Sequence, residues 1–496
     1  MKLEPRSISL VCSGLVAAMF LSGCASVSVP QTASLAPVPP PAWQAPAPHQ
    51  GSATDLTQWW SQFNDPQLPR LIAAAQGVSP TVSAAKSRIE RSRAARVSAG
   101  AALGPALTAQ GSAVRGAEGA GGQTNGPATS LTAGLNAAWE IDVFGGAAAG
   151  RDAAQARLDG SEMLWHEARV SVAAEVATQY TALRACEAQL AQVQLDATSR
   201  NETARLTDLT SKAGFTAPAQ AALSRASAAQ GNSQLTQQRA QCDGLVKGLV
   251  YLTGADEAAL RTQLNTARGV IAQPAQIDIP RVPAALLRQR PDLGNAEREL
   301  LAASSDVRQA QAARLPRIAL NGSIGAARVT SSGMAGGFTN TESTWSLGPL
   351  SVSLPLFDGG SRQAQVSAAQ ARHTDATVQY NAKLRAAMRE VEDALIALQS
   401  TADRNGDALV ATEGFAASLR ATDARYKGGL ATLFELEDAR RSAVQAQTAF
   451  IDLQRERVTA WITLYRALGG GWSADAPTLA SAAATNTNGS PNLITP

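Results

Sequence analysis

Apolar residues recur at heptad-like spacing in two long segments, Gly146 to Gly214 and Gly360 to Gly429, and neither segment contains a proline. This spacing is typical of coiled-coil seams. Each segment predicts one helix of about 70 residues, or about 100 Å. The seam residues are Val176, Leu183, Cys186, Leu190, Val193 and Ala197 in the first segment and Leu384, Met388, Val391, Leu395 and Leu398 in the second.

Glycines end both helices. At Gly214 and Gly429 the chain is expected to turn, because glycine readily adopts the positive φ of a helix end. Return helices are predicted over Pro218 to Leu252 and Thr432 to Leu468. The pattern therefore predicts two long antiparallel hairpins, at about 146–252 and 360–468.

The two hairpins belong to an internal duplication. Asp152–Arg157 resembles Ser367–Arg372 at an offset of 370 − 155 = 215 positions, and Glu175-Val176 matches Glu390-Val391 at the same offset. One inserted residue would rotate everything beyond it by about 100° on a helix. A register without insertions therefore indicates continuous helices in two tandem repeats, 55–279 and 280–472.

Two short segments in which apolar and polar residues alternate precede each long helix, as expected for strands between lipid and water. Loops rich in Gly, Ser, Thr and Asn join them, over Arg115–Ser130 and Arg328–Thr344. The predicted strand pairs lie at about 105–140 and 316–357. Their strands are Leu107–Val114 and Leu131–Trp139 in the first repeat and Ile318–Val329 and Trp345–Phe357 in the second.

Four strands cannot close a barrel, and each unpaired backbone group at an open edge in hydrocarbon costs several kcal/mol. Three copies would supply twelve strands, with six hairpins forming a hollow cylinder beneath them. The predicted fold is mainly α with a membrane β-barrel. It is a trimeric 12-stranded barrel, four strands per chain, on a long antiparallel α-helical tunnel.

The N-terminus has the pattern of a lipoprotein signal. Lys2 and Arg6 precede an apolar run from Ile8 to Phe20, and Leu21–Cys24 follows. We expect a signal peptide over 1–23 and a covalent N-acyl diacylglycerol on the Cys24 thiol. An ordinary secretory signal with an incidental cysteine is the alternative.

The apolar run of the signal is shorter than the about 20 residues of a spanning helix, and no later uncharged stretch reaches that length. Any membrane crossing must therefore use strands. Pro- and Ala-rich residues 24–54 predict an extended tether between lipid and fold. Residues 473–496 lack periodicity and predict a disordered tail.

Charge and motif content exclude several functions. Lys and Arg total 43 against 40 Asp and Glu, without a long basic run, so no nucleic-acid partner is expected. His49, His166 and His373 are scattered, without ligands at metal-binding spacing. No nucleophile elbow or phosphate loop is present. We expect no enzyme activity and no cofactor other than the covalent lipid.

Two cysteines lie at equal distances from the first turn, since 214 − 186 = 28 and 242 − 214 = 28. An antiparallel hairpin places Cys186 and Cys242 at nearly the same height. We therefore predict a disulfide between them, which an oxidising periplasm permits. Two buried free thiols are the alternative.

The chain resembles the outer-membrane factors of tripartite efflux pumps, specifically the TolC-like lipoproteins that include the NodT branch. The resemblance implies a trimer in the outer membrane, a periplasmic adaptor protein and an inner-membrane transporter that supplies the energy. Ala25 after the lipidated cysteine implies the same location. The matching motifs are Trp59-Trp60 with Phe63 and Asp65, Trp139–Gly145, Leu286–Leu293, Phe357–Gly360 and Tyr426–Arg441.

The same resemblance implies a closure at the periplasmic end, formed by the second hairpin. Asp438 matches an acidic gate position, Phe434 lies one turn nearer the tip, and Tyr426 begins the matching segment. Three Asp438 carboxylates would surround the axis and attract cations. Alternatively, Asp438 is a solvated residue that pairs with Arg441. Glu435 and Glu437 depart from the uncharged residues that the family has there.

The helical turns are the expected adaptor contacts by resemblance, and simple turn chemistry is the alternative. They are Gly214-Phe215-Thr216 and Gly429-Leu430-Ala431. The expected function is a passive exit duct for small molecules. The alternatives are a soluble periplasmic coiled-coil lipoprotein scaffold and the outer channel of a protein secretion system.

Overall fold

The computed structural model describes residues 56–116, 119–120, 123–124, 127–274, 289–331 and 338–470. Cys24, the tether over 24–54 and the tail over 473–496 lie outside these ranges. Within the described residues, no helix combines the length and the apolar character needed to span a membrane.

Helices make up most of the described chain, and two short 3₁₀-helices, Leu56–Phe63 and Asn265–Ala267, accompany them. The α-helices are α1 (Gln67–Val78), α2 (Pro80–Ala101), α3 (Gly146–Lys212), α4 (Pro218–Thr253), α5 (Glu257–Leu264), α6 (Pro291–Ala312), α7 (Ser361–Lys427) and α8 (Leu433–Ala467). The strands are β1 (Ala106–Gly116), β2 (Gly119–Ala120), β3 (Gln123–Thr124), β4 (Ala128–Ile141), β5 (Arg317–Ser331) and β6 (Phe338–Ser353).

The two longest helices, α3 and α7, have 67 residues each and begin just after a strand. An aspartate caps each start. Asp142 Oδ2 accepts a hydrogen bond from Ala148 N at 2.8 Å, and Asp358 accepts from Gly360 N and Arg362 N at 3.0 and 3.1 Å. These carboxylates satisfy N–H groups that a helix start leaves without partners.

The main sheet is antiparallel with strand order β1-β4-β5-β6. It extends further into the second predicted loop than expected, because Arg328–Ser331 pairs with Phe338–Thr341. At the other end β6 ends at Ser353, before the predicted end at Phe357. Pairing stops there because Pro355 has no N–H to donate to a neighbouring strand. In the first predicted loop, β2 and β3 form a short hairpin.

Register separates the sheet into an apolar and a polar face. Directly opposite residues share a face, and one row across all four strands consists of Ala109, Leu135, Ile324 and Trp345. The adjacent row, on the other face, consists of Thr108, Asn136, Ser323 and Ser346. The alternation of apolar and polar residues thus gives the sheet one apolar face and one face of hydroxyl and amide groups.

The chain divides into two compact units. The unit that includes the sheet packs α3 against α6 through small residues, Ala153, Ala156 and Ala302. Arg157 Nη2 on α3 contacts Asp306 Oδ2 on α6 at 2.5 Å. In this unit close helix contact and ion pairs between α3 and α6 replace a thick apolar core.

The other unit holds the larger core, built on aromatic residues and on the heptad leucines. Trp59 contacts the Trp461 ring edge-on, with centroids 6.2 Å apart, and Tyr465 at 5.5 Å. Tyr180 on α3 donates a hydrogen bond to Asp65. These contacts attach the segment before α1 to the long helices.

A disulfide joins Cys186 on α3 to Cys242 on α4, with the two Cα atoms 5.6 Å apart. This is the pairing that the equal spacing from Gly214 predicts. Both residues are buried on the seam of the first hairpin.

Replacing both cysteines by serine is expected to lower the free energy of unfolding by about 2–4 kcal/mol, because the crosslink closes a long loop in the unfolded chain. Denaturant midpoints followed by circular dichroism measure the loss. Reductant should lower the wild-type midpoint similarly and leave the double variant unchanged. An equal response of both proteins to reductant would contradict a role for the crosslink.

Candidate functional site at the helical tips

The first tip is the turn between α3 and α4. Gly214 has φ +78°, and Phe215 N donates to Thr210 O at 2.9 Å. Thr216 Oγ1 donates to Thr210 Oγ1 at 2.8 Å. These bonds satisfy the end of α3 without using the Phe215 ring, which is 86% exposed.

The second tip is the turn between α7 and α8. Gly429 has φ +73°, and Leu430 N donates to Arg425 O at 2.8 Å. Thr432 and Glu435 form a capping box at the start of α8. The Thr432 N–H and then its hydroxyl lower the pKa of the Glu435 carboxyl. Glu435 therefore caps the start of α8, while the Leu430 side chain remains exposed.

One exposed face of α8 carries two of the three predicted gate residues. The Phe434 side chain is 71% exposed and that of Asp438 is 61% exposed. Arg441 Nη1 lies 3.9 Å from Asp438 Oδ1, at the limit of an ion pair. Exposed ion pairs of this kind contribute about 0–1 kcal/mol to stability. Arg441 therefore restrains the Asp438 side chain only weakly.

The third predicted gate residue points elsewhere. The half-buried Tyr426 side chain places its hydroxyl 3.2 Å from Thr207 Oγ1 on α3. Thr207 is itself buried. Tyr426 therefore links the end of α7 to the first hairpin.

Four charged side chains between α8 and α3, which sequence patterns alone do not group, form what we call the charged cluster: Asp196, Arg200, Glu437 and Arg440. Glu437 Oε2 accepts from Arg200 Nη1 at 2.7 Å, and its Oε1 accepts from Arg440 Nη1 at 2.8 Å. Arg200 Nε donates to Asp196 Oδ2 at 2.7 Å. The cluster is largely buried, and its four charges balance.

Three hydroxyls complete the charged cluster. Ser227 Oγ on α4 donates to Glu437 Oε2 at 2.8 Å. Arg440 Nη2 donates to Ser199 Oγ and Thr203 Oγ1, both at 2.8 Å. A signal for burial existed in the sequence, since Arg440 follows Leu433 and Leu436 at helical spacing.

Across the described residues, no group of three or more His, Cys, Asp or Glu side chains is placed to hold a metal ion. The tips present exposed apolar side chains at two turns and a weakly paired carboxylate on α8. Such a surface suits binding of another protein and electrostatic attraction of cations.

The chain matches the model of the outer membrane efflux protein family over residues 71–255 and 282–470. It belongs to the outer membrane efflux protein family. It is 30% identical to the pyoverdine export outer membrane protein OpmQ of Pseudomonas putida over 96% of this chain and 99% of that one. It is 32% identical to the outer membrane protein OprJ of Pseudomonas aeruginosa over 93% and 95%.

Similarity extends to solved structures. A crystal structure of a membrane protein from Pseudomonas aeruginosa superimposes with a TM-score of 0.77 at 30% identity, covering 87% of this chain and 98% of that chain. The resemblance to TolC-like outer-membrane factors is thereby confirmed. As an outer membrane efflux protein, the chain is mainly helical with a small sheet, and its relatives include outer membrane proteins of export and efflux systems.

Proposed function

We propose that this chain forms, as a homotrimer, the outer-membrane exit duct of a tripartite efflux pump that carries small molecules from the periplasm to the exterior. A periplasmic adaptor protein and an inner-membrane transporter complete the pump, and the transporter supplies the energy. The chain itself is a passive conduit and not an enzyme.

The four-stranded sheet carries this proposal. Among the described residues, β1 and β6 each pair on one side only. In hydrocarbon every unpaired N–H and C=O costs several kcal/mol, so such edges favour pairing with neighbouring copies. Three copies would give twelve strands, within the range of outer-membrane barrels.

The exposed apolar face of the sheet argues against a soluble scaffold. Trp345 is 79% exposed, and Ile324, Leu347 and Leu350 are exposed as well. Contiguous apolar surface of this kind is rare on soluble monomers. Lipid would cover it, while Asn136 and Ser323 on the other face would contact water in the lumen.

Membrane attachment and adaptor docking involve different parts of the chain. We propose that a lipid on Cys24 anchors the chain to the outer membrane through the tether. At the tips, Phe215 and Leu430 project from turns whose backbone groups are already bonded within the chain. An adaptor could therefore bury both side chains without breaking a turn.

Small molecules are the cargo that the comparisons favour. OpmQ is described as a pyoverdine export protein, and pyoverdine is a small molecule. Hydroxyl and amide groups on the polar face of the sheet would pass such cargo without binding it tightly.

Planar bilayers test the proposed function. We expect the purified full-length protein to be trimeric in detergent by light scattering and to raise membrane conductance. A monomer that adds no conductance would exclude the duct. A soluble scaffold would leave the membrane once its lipid was removed.

Replacing Asp438 by Asn is expected to reduce the cation-to-anion permeability ratio by about 2- to 5-fold, because three carboxylates near the axis would attract cations. Reversal potentials across a salt gradient measure this ratio. Asp393→Asn is the matched control, since Asp393 is also 61% exposed and pairs with an arginine on its own helix. Equal ratios in both variants would remove Asp438 from the gate.

A further inference from the structure

We infer that Arg115 and Arg328 bind phosphate groups of the glycolipid that forms the outer leaflet of a bacterial outer membrane. Both residues lie on the apolar face of the sheet, near the ends of their strands that the helices do not join. The inference rests on the proposed function, because that function places the sheet in the membrane and the helices in the periplasm. It concerns the sheet and not the helical tips.

Strand register assigns both arginines to the apolar face. Arg115 follows Ala109 on β1 by 115 − 109 = 6 positions, and Arg328 follows Ile324 on β5 by 328 − 324 = 4 positions. Ala109 and Ile324 belong to the apolar row described above, and residues an even number of positions apart share a face of a strand. Both arginines are exposed. Within the described strands, no other charged residue lies on this face.

The position of Arg328 along β5 fits the edge of a hydrocarbon layer. Ile318 begins the apolar face at the other end of this strand, 328 − 318 = 10 residues away. At about 3.3 Å per residue and a strand tilt of about 40°, ten residues rise about 25 Å, which is the height of the apolar band of an outer-membrane barrel. A lipid-facing arginine is unfavourable at the middle of the bilayer but tolerated at its interface. Arg328 is therefore at the height of the lipid headgroups.

Hydroxyl groups accompany the arginines. The row of Arg115 consists otherwise of threonines, and a further threonine lies opposite Arg328. Arginine binds phosphate through paired N–H donors, and threonine hydroxyls can donate to the remaining oxygens. The apolar face thus ends in a polar surface that we call the outer belt: Arg115, Thr129, Arg328, Thr330, Thr339 and Thr341.

The two arginines of the outer belt lack a carboxylate partner among the described residues. Glu342 on β6 is near the same end of the sheet but on the polar face, where it lies opposite Ala327 and accepts from Asn340 Nδ2 at 2.7 Å. The third arginine of the sheet, Arg317, is also on the polar face, and its Nε lies 3.9 Å from Glu140 Oε1. Unneutralised cations on the apolar face favour an anionic partner from the lipid.

The two ends of the apolar face differ, and the difference favours the outer leaflet. At the end that the helices join, the last row consists of Ile141, Ile318 and Val352. Next to it, Trp139 Nε1 donates to Leu103 O at 3.0 Å. Aliphatic and aromatic side chains suit a membrane interface without binding phosphate. The outer belt is at the opposite end, which the proposed function places in the outer leaflet.

The test measures binding of lipid A, the phosphorylated anchor of the outer-leaflet glycolipid, to full-length trimers in detergent by native mass spectrometry. Replacing Arg115 and Arg328 together by Gln should weaken binding about 10- to 30-fold, because each basic residue at an anionic lipid surface adds several-fold to the affinity. Arg317→Gln is the matched control, since it removes an arginine from the polar face of the same sheet. It should bind lipid A as tightly as wild type.

Two further ligands identify the group that is recognised. Lipid A with one of its phosphates removed should bind wild type about 3- to 10-fold more weakly than intact lipid A, and this difference should disappear in the double variant. Phosphatidylglycerol carries one phosphate and separates a phospholipid from the glycolipid. It should bind wild type at least about 10-fold more weakly than lipid A.

Conductance in planar bilayers separates the inference from the proposed function. The double variant should conduct like wild type, because neither arginine faces the lumen. A wild type without trimers or conductance contradicts the proposed function itself.

The lipid measurements decide the inference. Conducting trimers that bind lipid A equally well with and without the two arginines overturn the outer belt as a phosphate site, as does an equal loss in Arg317→Gln. Equal binding of phosphatidylglycerol and lipid A overturns the assignment to the outer-leaflet glycolipid. If the double variant does not form trimers, the two forms of lipid A on wild type decide alone.

Discussion

Replacing Ile324 by Lys should prevent the protein from assembling in a membrane. Ile324 lies near the middle of β5, in the apolar row that Leu135 and Trp345 share. A lysine on the lipid face near the bilayer centre costs about 2–4 kcal/mol per chain. A trimer would bear this cost three times, so we expect the yield of inserted trimer to fall at least about 10-fold.

Ser323→Lys is the matched control for this prediction, because it places the same charge one residue earlier on the polar face. This variant should insert and form trimers at the wild-type level. Membrane fractionation and unheated gel electrophoresis measure both quantities. Similar loss in the two variants would contradict the assignment of lipid and water faces.

Replacing Arg290 by Ala should lower the free energy of unfolding by about 2–4 kcal/mol, because it leaves the buried Ala467 carbonyl and the partly exposed carboxylates of Asp292 and Glu390 without their partner. Arg290 Nη1 donates to Glu390 Oε2 and to Ala467 O, both at 2.8 Å. Its Nε and Nη2 donate to the two oxygens of Asp292. One guanidinium thus joins the start of α6, the middle of α7 and the end of α8.

Arg389→Ala provides the comparison, since Arg389 is next to Glu390 but is exposed and, in the part of the chain that the structure describes, pairs only with Asp393. Its loss should stay below about 0.5 kcal/mol. Chemical unfolding followed by far-ultraviolet circular dichroism gives both values. Equal midpoints for the two variants would show that the Arg290 contacts contribute little.

The helices could be predicted closely because their signals are local. Heptad spacing and the terminal glycines place the first long helix at Gly146 to Gly214, and α3 spans Gly146–Lys212. Strand ends were less predictable. Residues such as Thr339 and Thr341 fit an exposed loop as well as a strand, and only pairing with β5 decides between them.

At the tips, turns and exposed side chains were predictable for the same local reason. The charged cluster was not, because it depends on tertiary contacts. Arg200 and Glu437 are 237 residues apart in sequence. A Glu on α8 that departs from a family pattern gives no sign of which helix will supply its partner.

The disulfide between Cys186 and Cys242 has a consequence for biogenesis. At the 215-residue offset the second hairpin has Thr401 and Arg457, so only the first is covalently crosslinked. Thiol oxidation takes seconds to hours and depends on the available oxidant. Maturation of the first hairpin would therefore follow the oxidising capacity of the compartment in which it folds. A cell under reductive stress would still synthesise the polypeptide, but its first hairpin would lack this crosslink.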